Sequence, residues 1–147
     1  MRRVLLGFSL VIPVALAVAD DAHLPPNATY ASECGSCHVA YPPQLRPARS
    51  WQHLMGRLDR HFGSDASLDA KAHVAISRYL EANAGRRAAS AGPEPRITES
   101  RWFRKEHDEP SASIWTNPAV KSAANCDACH TRAADGDYSK RTRRVPR

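Results

Sequence analysis

Two stretches of this chain repeat apolar residues at helical spacing. Trp51, Leu54, Met55, Leu58 and Phe62 share one face, which predicts a helix from Trp51 to about Phe62, with Ser50 as its N-cap and Gly63 as its end. His61 lies on a flank of that face, while His53 points nearly opposite, towards Arg57 and Arg60. Leu68, Ala72, Ala75, Ile76, Tyr79 and Leu80 predict a second amphipathic helix, running to about Asn83 and stopped by Gly85. His73, at the edge of that stripe, reads as a partly buried structural histidine. Elsewhere the pattern breaks. Residues 20 to 33, with Pro25, Pro26 and Asn27, read as an irregular arm in which His23 is solvated. Tyr41 to Pro47 reads as an extended, proline-fixed connector. Between Gly85 and Pro95 the periodicity gives way to Gly, Arg, Ala, Ser and Pro, a linker. Beyond it Ile97, Trp102 and Phe103 form a short apolar segment leading to His107, followed by Trp115, Pro118 and Val120.

The N-terminus carries a different pattern. Arg2 and Arg3 precede an apolar run from Val4 to Val18, and Ala17-Val18-Ala19 is a small-x-small cleavage site before Asp20. The run is short for a membrane span, so residues 1–19 read as a cleaved signal peptide, with an uncleaved anchor as the alternative. The expected compartment is the periplasm.

Candidate chemistry sits in two pentapeptides, Cys34-Gly35-Ser36-Cys37-His38 and Cys126-Asp127-Ala128-Cys129-His130. C-x-x-C-H is the attachment signature of c-type haem: the cysteines bond one porphyrin, and the adjacent histidine meets the iron from the proximal side. The pentads use all 4 cysteines, leaving none for a disulfide or a nucleophile. A thioredoxin-like pair would need a βαβ context that the pattern lacks. A shared zinc site would not require a histidine after each second cysteine. Two covalent haem c groups are therefore expected, attached through Cys34, Cys37, Cys126 and Cys129, with His38 and His130 on the irons.

Charge changes little in this picture. Without Arg2 and Arg3 the 21 basic residues fall to 19 against 15 acidic ones, a formal +4. Haem propionates offset a surplus of that size, so no nucleic-acid partner is implied. The stretch from Lys140 to Arg147 is strongly basic; such a run reads as a solvated end or as a landing site for an acidic partner. Aromatics make up 7% of the chain, and two haems would supply much of the buried apolar surface in so small a protein.

The sixth iron ligands are open on inventory. Once Met1 leaves with the signal peptide, the chain retains one of its 2 methionines, so at most one haem can be His/Met. Met55 sits in an apolar stripe and reads as core. His23, His53, His61, His73 and His107 all lie outside the pentads. The order pentad, helix, His61, helix resembles small class I cytochromes c, with His61 in place of their usual methionine. His107 is the single non-pentad histidine of the second half, and pairing across the halves stays open.

The chain also resembles the dihaem cytochrome c family of bacterial periplasmic electron carriers. The likeness rests on Glu33 to His38, Pro42-Pro43, Pro47 to Trp51, Leu54-Met55, His61-Phe62-Gly63, Arg96 to Glu99, Trp102-Phe103, Glu106-His107 and Asn125-Cys126. Ser100-Arg101 departs from it, standing where a threonine-proline pair is expected. The resemblance implies two low-potential, bis-histidine haems, with His61 and His107 as distal ligands, serving electron transfer rather than catalysis. It also implies redox partners: a membrane b-type cytochrome, through which peripheral membrane association would arise, and a small monohaem cytochrome. The expected fold is mainly α, as two small haem-organised lobes. These are an N-terminal lobe over residues 20–86, a linker over 87–95, and a C-terminal lobe with a basic tail over 96–147. The rival reading is a haem enzyme or gas-binding protein with one five-coordinate iron.

Overall fold

The computed structural model describes residues 27–86 and 96–146. The expected signal peptide, His23 and the linker over 87–95 lie outside them. Among the described residues the fold is mainly helical, with no strand and only isolated antiparallel bridges. No described helix is long and apolar enough to cross a membrane.

The Asn27 side chain accepts a hydrogen bond from the Tyr30 backbone N–H at 2.8 Å and opens α1, Ala28–Cys34. The irregular arm expected over residues 20–33 is thus corrected for residues 28–33, residues 20–26 lying outside those described. The prolines stop before the capping residue, and Tyr30 buries its ring in the core. The connector that follows holds one 3₁₀ turn, Pro43–Leu45, whose Pro43 carbonyl accepts from the Trp51 indole at 2.8 Å.

Helix α2 spans Ala48–Met55. It starts earlier and ends sooner than the apolar stripe predicts. Pro47, not Ser50, is its N-cap, and Ser50 is fully buried inside the first turn. At Gly56 the helix stops, and the chain continues in a 3₁₀ turn, Leu58–Arg60, that keeps Leu58 in the core. Phe62, expected on the apolar face, is 41% exposed instead.

Helix α3, Ala70–Ala82, is capped by Asp69, whose carboxylate accepts from the Lys71 and Ala72 N–H groups at 2.8 and 2.9 Å. Its buried face is Ala72, Ile76 and Leu80, while Ala75 is exposed. Asn83 caps its C-terminus. Gly85 serves a different purpose from the expected stop: a Cβ there would collide with the Gln44 backbone, and its N–H donates to the Arg46 carbonyl at 2.8 Å. This close approach closes α3 onto the connector. Tyr30, Trp51, Met55, Leu58, Ile76 and Leu80 form the core among α1, α2 and α3. His73 donates from Nε2 to the Met55 carbonyl at 3.0 Å, tying α3 to the last turn of α2.

The second half is built from shorter pieces: a 3₁₀ turn, Ile97–Glu99, then α4, Arg101–Glu106, and α5, Ala112–Trp115. The Ser100 hydroxyl accepts from the Phe103 N–H at 3.0 Å and caps α4. Serine therefore meets the capping need at the position where the family pattern differs. A 3₁₀ turn, Cys126–Ala128, opens the second pentad, and another, Ala133–Asp135, follows it.

The basic C-terminus is not a free solvated end. Arg144 N–H donates to the Cys129 carbonyl at 2.7 Å, and the Thr131 N–H and hydroxyl both donate to the Thr142 carbonyl, at 3.3 and 2.9 Å. Arg143 pairs with Glu109 at 3.4 Å. The last residues strap the second pentad through main-chain bonds that residue type does not advertise.

Candidate haem sites

Cys34 closes α1, and four residues later His38 lies beyond the helix with its ring half-buried. His38 Nδ1 donates to the Val39 carbonyl at 2.8 Å, which fixes the tautomer and leaves the Nε2 lone pair free. Across from it stands His61, with ring centres 6.2 Å apart and planes 27° from parallel. His61 is reached through the turn after α2 rather than from a helical face. It opens a tight turn closed by the Ser64 N–H to its own carbonyl at 3.0 Å. The two residues inside that turn, Phe62 and Gly63, have φ of +50° and +99°. A bulky residue at positive φ is strained, and Arg96 holds it: its guanidinium donates to the Phe62 carbonyl at 3.3 Å and lies 4.6 Å from the ring centre. Burial, then His38, Arg96 and Arg46, lower the pKa of His61, which favours the neutral imidazole that a metal needs. A cavity of about 210 Å³ beside His61 is lined by Arg46, His53, Leu54, Arg57, Arg60 and Phe62. His53 itself is exposed and bonded to Arg57 at 3.4 Å.

The second site repeats this relation on unrelated elements. His107 is the residue at which α4 ends. Its Nδ1 donates to the Phe103 carbonyl at 2.9 Å, again leaving Nε2 free, and its ring stacks on Phe103 at 4.0 Å. His130 faces it with ring centres 6.1 Å apart, the planes now at 74°. Burial first, then His107 and Arg143, lower the pKa of His130, opposed by Asp137. Its Nδ1 is buried and has no hydrogen-bond partner, and neither has the nearby Tyr138 hydroxyl.

Each pentad histidine is therefore opposed by another imidazole from its own half. Two imidazoles binding one metal from opposite sides have ring centres roughly 6 Å apart, given metal–nitrogen bonds of about 2 Å and a ring radius of about 1 Å. Both observed separations match that spacing, and the free Nε2 atoms of His38 and His107 suit it. Three of the four thiols are held towards the protonated form by burial. Burial pushes Cys34 and Cys126 up to about 11 and raises Cys129 as well, and all four are free of disulfides. Among the described residues no group of three or more His, Cys, Asp or Glu side chains converges as a metal cage.

The dihaem cytochrome c family pattern matches residues 30–138. The chain belongs to the dihaem cytochrome c family. A search of the curated proteins finds no match. Among solved structures it is similar to the diheme cytochrome c of Shewanella baltica OS155, with 38% identity and a TM-score of 0.74, over 84% of this chain and 95% of that one. Two structures of the diheme cytochrome c of Rhodobacter sphaeroides are also similar. One is 43% identical (TM-score 0.68, 78% of this chain, 99% of that one), the other 41% (TM-score 0.70, 80% and 100%). As a dihaem cytochrome the chain carries two covalent haem c groups, and the pentad cysteines are present to attach them.

Sequence reasoning passed over Tyr41 and Tyr138. The Tyr41 ring stacks on His38 at 4.7 Å and 19°, and Tyr138 lies 5.3 Å from His130. A usable signal was present: the chain has 4 tyrosines, and Tyr30, Tyr41 and Tyr138 all fall close to a pentad in the sequence.

Proposed function

We propose that this protein is a periplasmic electron carrier whose two haem irons are each held by two histidines, His38 with His61 and His130 with His107. The observation that carries the reading is the pair of imidazole separations, 6.2 and 6.1 Å, one around each pentad histidine. A bound haem supplies a one-electron couple whose potential follows its axial ligands and burial. The chain's own residues supply the rest. Val39 and Phe103 fix the tautomers of His38 and His107, and Arg96 holds the strained turn that presents His61. With an imidazole on each side of each iron, no site would be left for peroxide, oxygen or another small ligand, and the haem would supply outer-sphere transfer of single electrons to a partner.

The proposed partners are a membrane b-type cytochrome and a small monohaem cytochrome. Arg57 and Arg60, on the rim of the cavity beside His61, give an acidic partner face a basic counterpart next to the first site. The residues over 20–86 and 96–147 are proposed as separate haem lobes, and residues 1–19 as the export signal.

A redox titration followed optically, together with carbon monoxide added to the reduced protein, tests the reading. Two low-spin couples below the His/Met range and no rapid carbon monoxide adduct are expected. Rapid stoichiometric binding at one haem, with turnover of peroxide or oxygen, would replace the carrier with a haem enzyme or gas-binding protein.

A further inference from the structure

One side chain reaches both haem sites. The Tyr41 carbonyl is anchored by the Tyr30 hydroxyl of α1 at 2.6 Å, and Tyr30 is packed against Tyr79 of α3 at 5.3 Å. From that fixed point the Tyr41 ring lies almost parallel to the His38 imidazole, 4.7 Å away. Its hydroxyl continues outward and donates to the Ala124 carbonyl at 3.3 Å, 83 positions further along the chain. Ala124 stands two residues before Cys126. The same ring thus touches the histidine of one pentad and the strand of backbone that delivers the other.

We infer that Tyr41 is the positioning residue that sets the ring plane of His38 and holds the second pentad at a fixed distance from the first. Two constraints meet on the imidazole: the Nδ1 bond to Val39 fixes one edge, and the stacked phenol blocks rotation about that edge. The second function follows from the hydroxyl. The halves also meet at Arg96 and Phe62, on the opposite, His61 side of the first site. Tyr41 is the counterpart on the His38 side, so the first site is clamped to the second half from both ligands. Electron exchange between the sites changes no bond and moves no proton: the electron lost at one is the electron gained at the other. Its rate depends steeply on separation, so a residue that fixes the separation governs it.

This inference rests on His38 and His61 binding the first iron, and the experiment separates the two claims. Ferric electron paramagnetic resonance and pulse-radiolysis measurement of electron redistribution are made on wild type, Tyr41→Phe and Tyr41→Leu, all with both haems confirmed by mass. Tyr41→Phe keeps the stack and loses the hydroxyl. It is expected to leave the first-site signal in place and to lose rate in the exchange between sites. Tyr41→Leu loses both contacts and is expected to shift the first-site signal, leave the second-site signal alone, and lose rate as well. A wild-type spectrum without two bis-histidine low-spin signals would sink the ligation and this inference together. Intact wild-type signals, with an exchange rate unchanged in Tyr41→Phe and a first-site signal unmoved in Tyr41→Leu, would overturn the inference alone. If Tyr41→Leu fails to take up haem, an unchanged exchange rate in Tyr41→Phe is enough to reject it.

Discussion

Deleting residues 140–147 should destabilise the holoprotein rather than merely reduce its charge. The deletion removes the Arg144 N–H bond to the Cys129 carbonyl at 2.7 Å, and both bonds from Thr131 to the Thr142 carbonyl, at 3.3 and 2.9 Å. A net hydrogen bond contributes about 1 kcal/mol, and the 3.3 Å bond counts for less. The Arg143–Glu109 pair, with side chains 37% and 65% exposed, adds only a few tenths after solvent screening, roughly the low end for surface pairs. The loss is then about 2–3 kcal/mol, which at an m-value of about 2 kcal/mol/M lowers the urea midpoint by about 1 M. Unfolding is followed by the haem spectrum in low and in high salt, after mass analysis confirms both haems. The shift should persist at high salt, because hydrogen bonds and not charges dominate it. An unchanged midpoint, with only a salt-dependent change in association with an acidic partner, would refute the strap and restore a solvated basic end.

Other expectations test the sites individually. His61→Ala and His107→Ala should each convert one low-spin ferric signal into a form that binds added imidazole or carbon monoxide, whereas His53→Ala, at an exposed position, should leave both signals intact. The wild-type resonance spectrum should contain two unlike low-spin signals, because the ligand planes lie at 27° in one site and 74° in the other; a single signal integrating to two irons would contradict that geometry. Ser100→Ala should cost about 1 kcal/mol by removing the cap of α4, and denaturant melts against Ser100→Thr should show the threonine variant near wild type.

What could be read from the sequence depended on whether side chains or main chain carried the information. Ala72, Ile76 and Leu80 recur every four residues, and α3 buries them as that spacing requires. The stripe from Trp51 to Phe62 misled because a 3₁₀ turn after Gly56 keeps Leu58 on the same side as a longer helix would. His61 consequently faces His38 through a left-handed turn, and helical phase is not the cause. Helix α1 was obscured by Pro25 and Pro26, although Asn27 immediately after them is a strong capping residue. The C-terminal strap is made of backbone bonds, which leave no mark in composition.

The two halves also reach their sites by opposite means, and this explains why no internal repeat is visible. In the first half a side-chain core of Tyr30, Trp51, Met55, Leu58, Ile76 and Leu80 comes before any cofactor, and the pentad begins at the end of a helix packed into it. In the second, the buried apolar residues among those described are Ile97, Val120 and Ala133, and neither α4 nor α5 buries a residue. A set that small cannot offset the conformational entropy of ordering the segment. Phe103 and Trp115 instead turn their rings towards His107, at 4.0 and 6.1 Å, so the apolar side chains of this half converge on the site itself. A haem bound there would supply apolar surface that this set lacks, whereas the first half has a side-chain core of its own. The two halves therefore share a pentad and an imidazole facing its histidine, at 6.2 and 6.1 Å, with different local elements around each, and no periodic stripe is common to both.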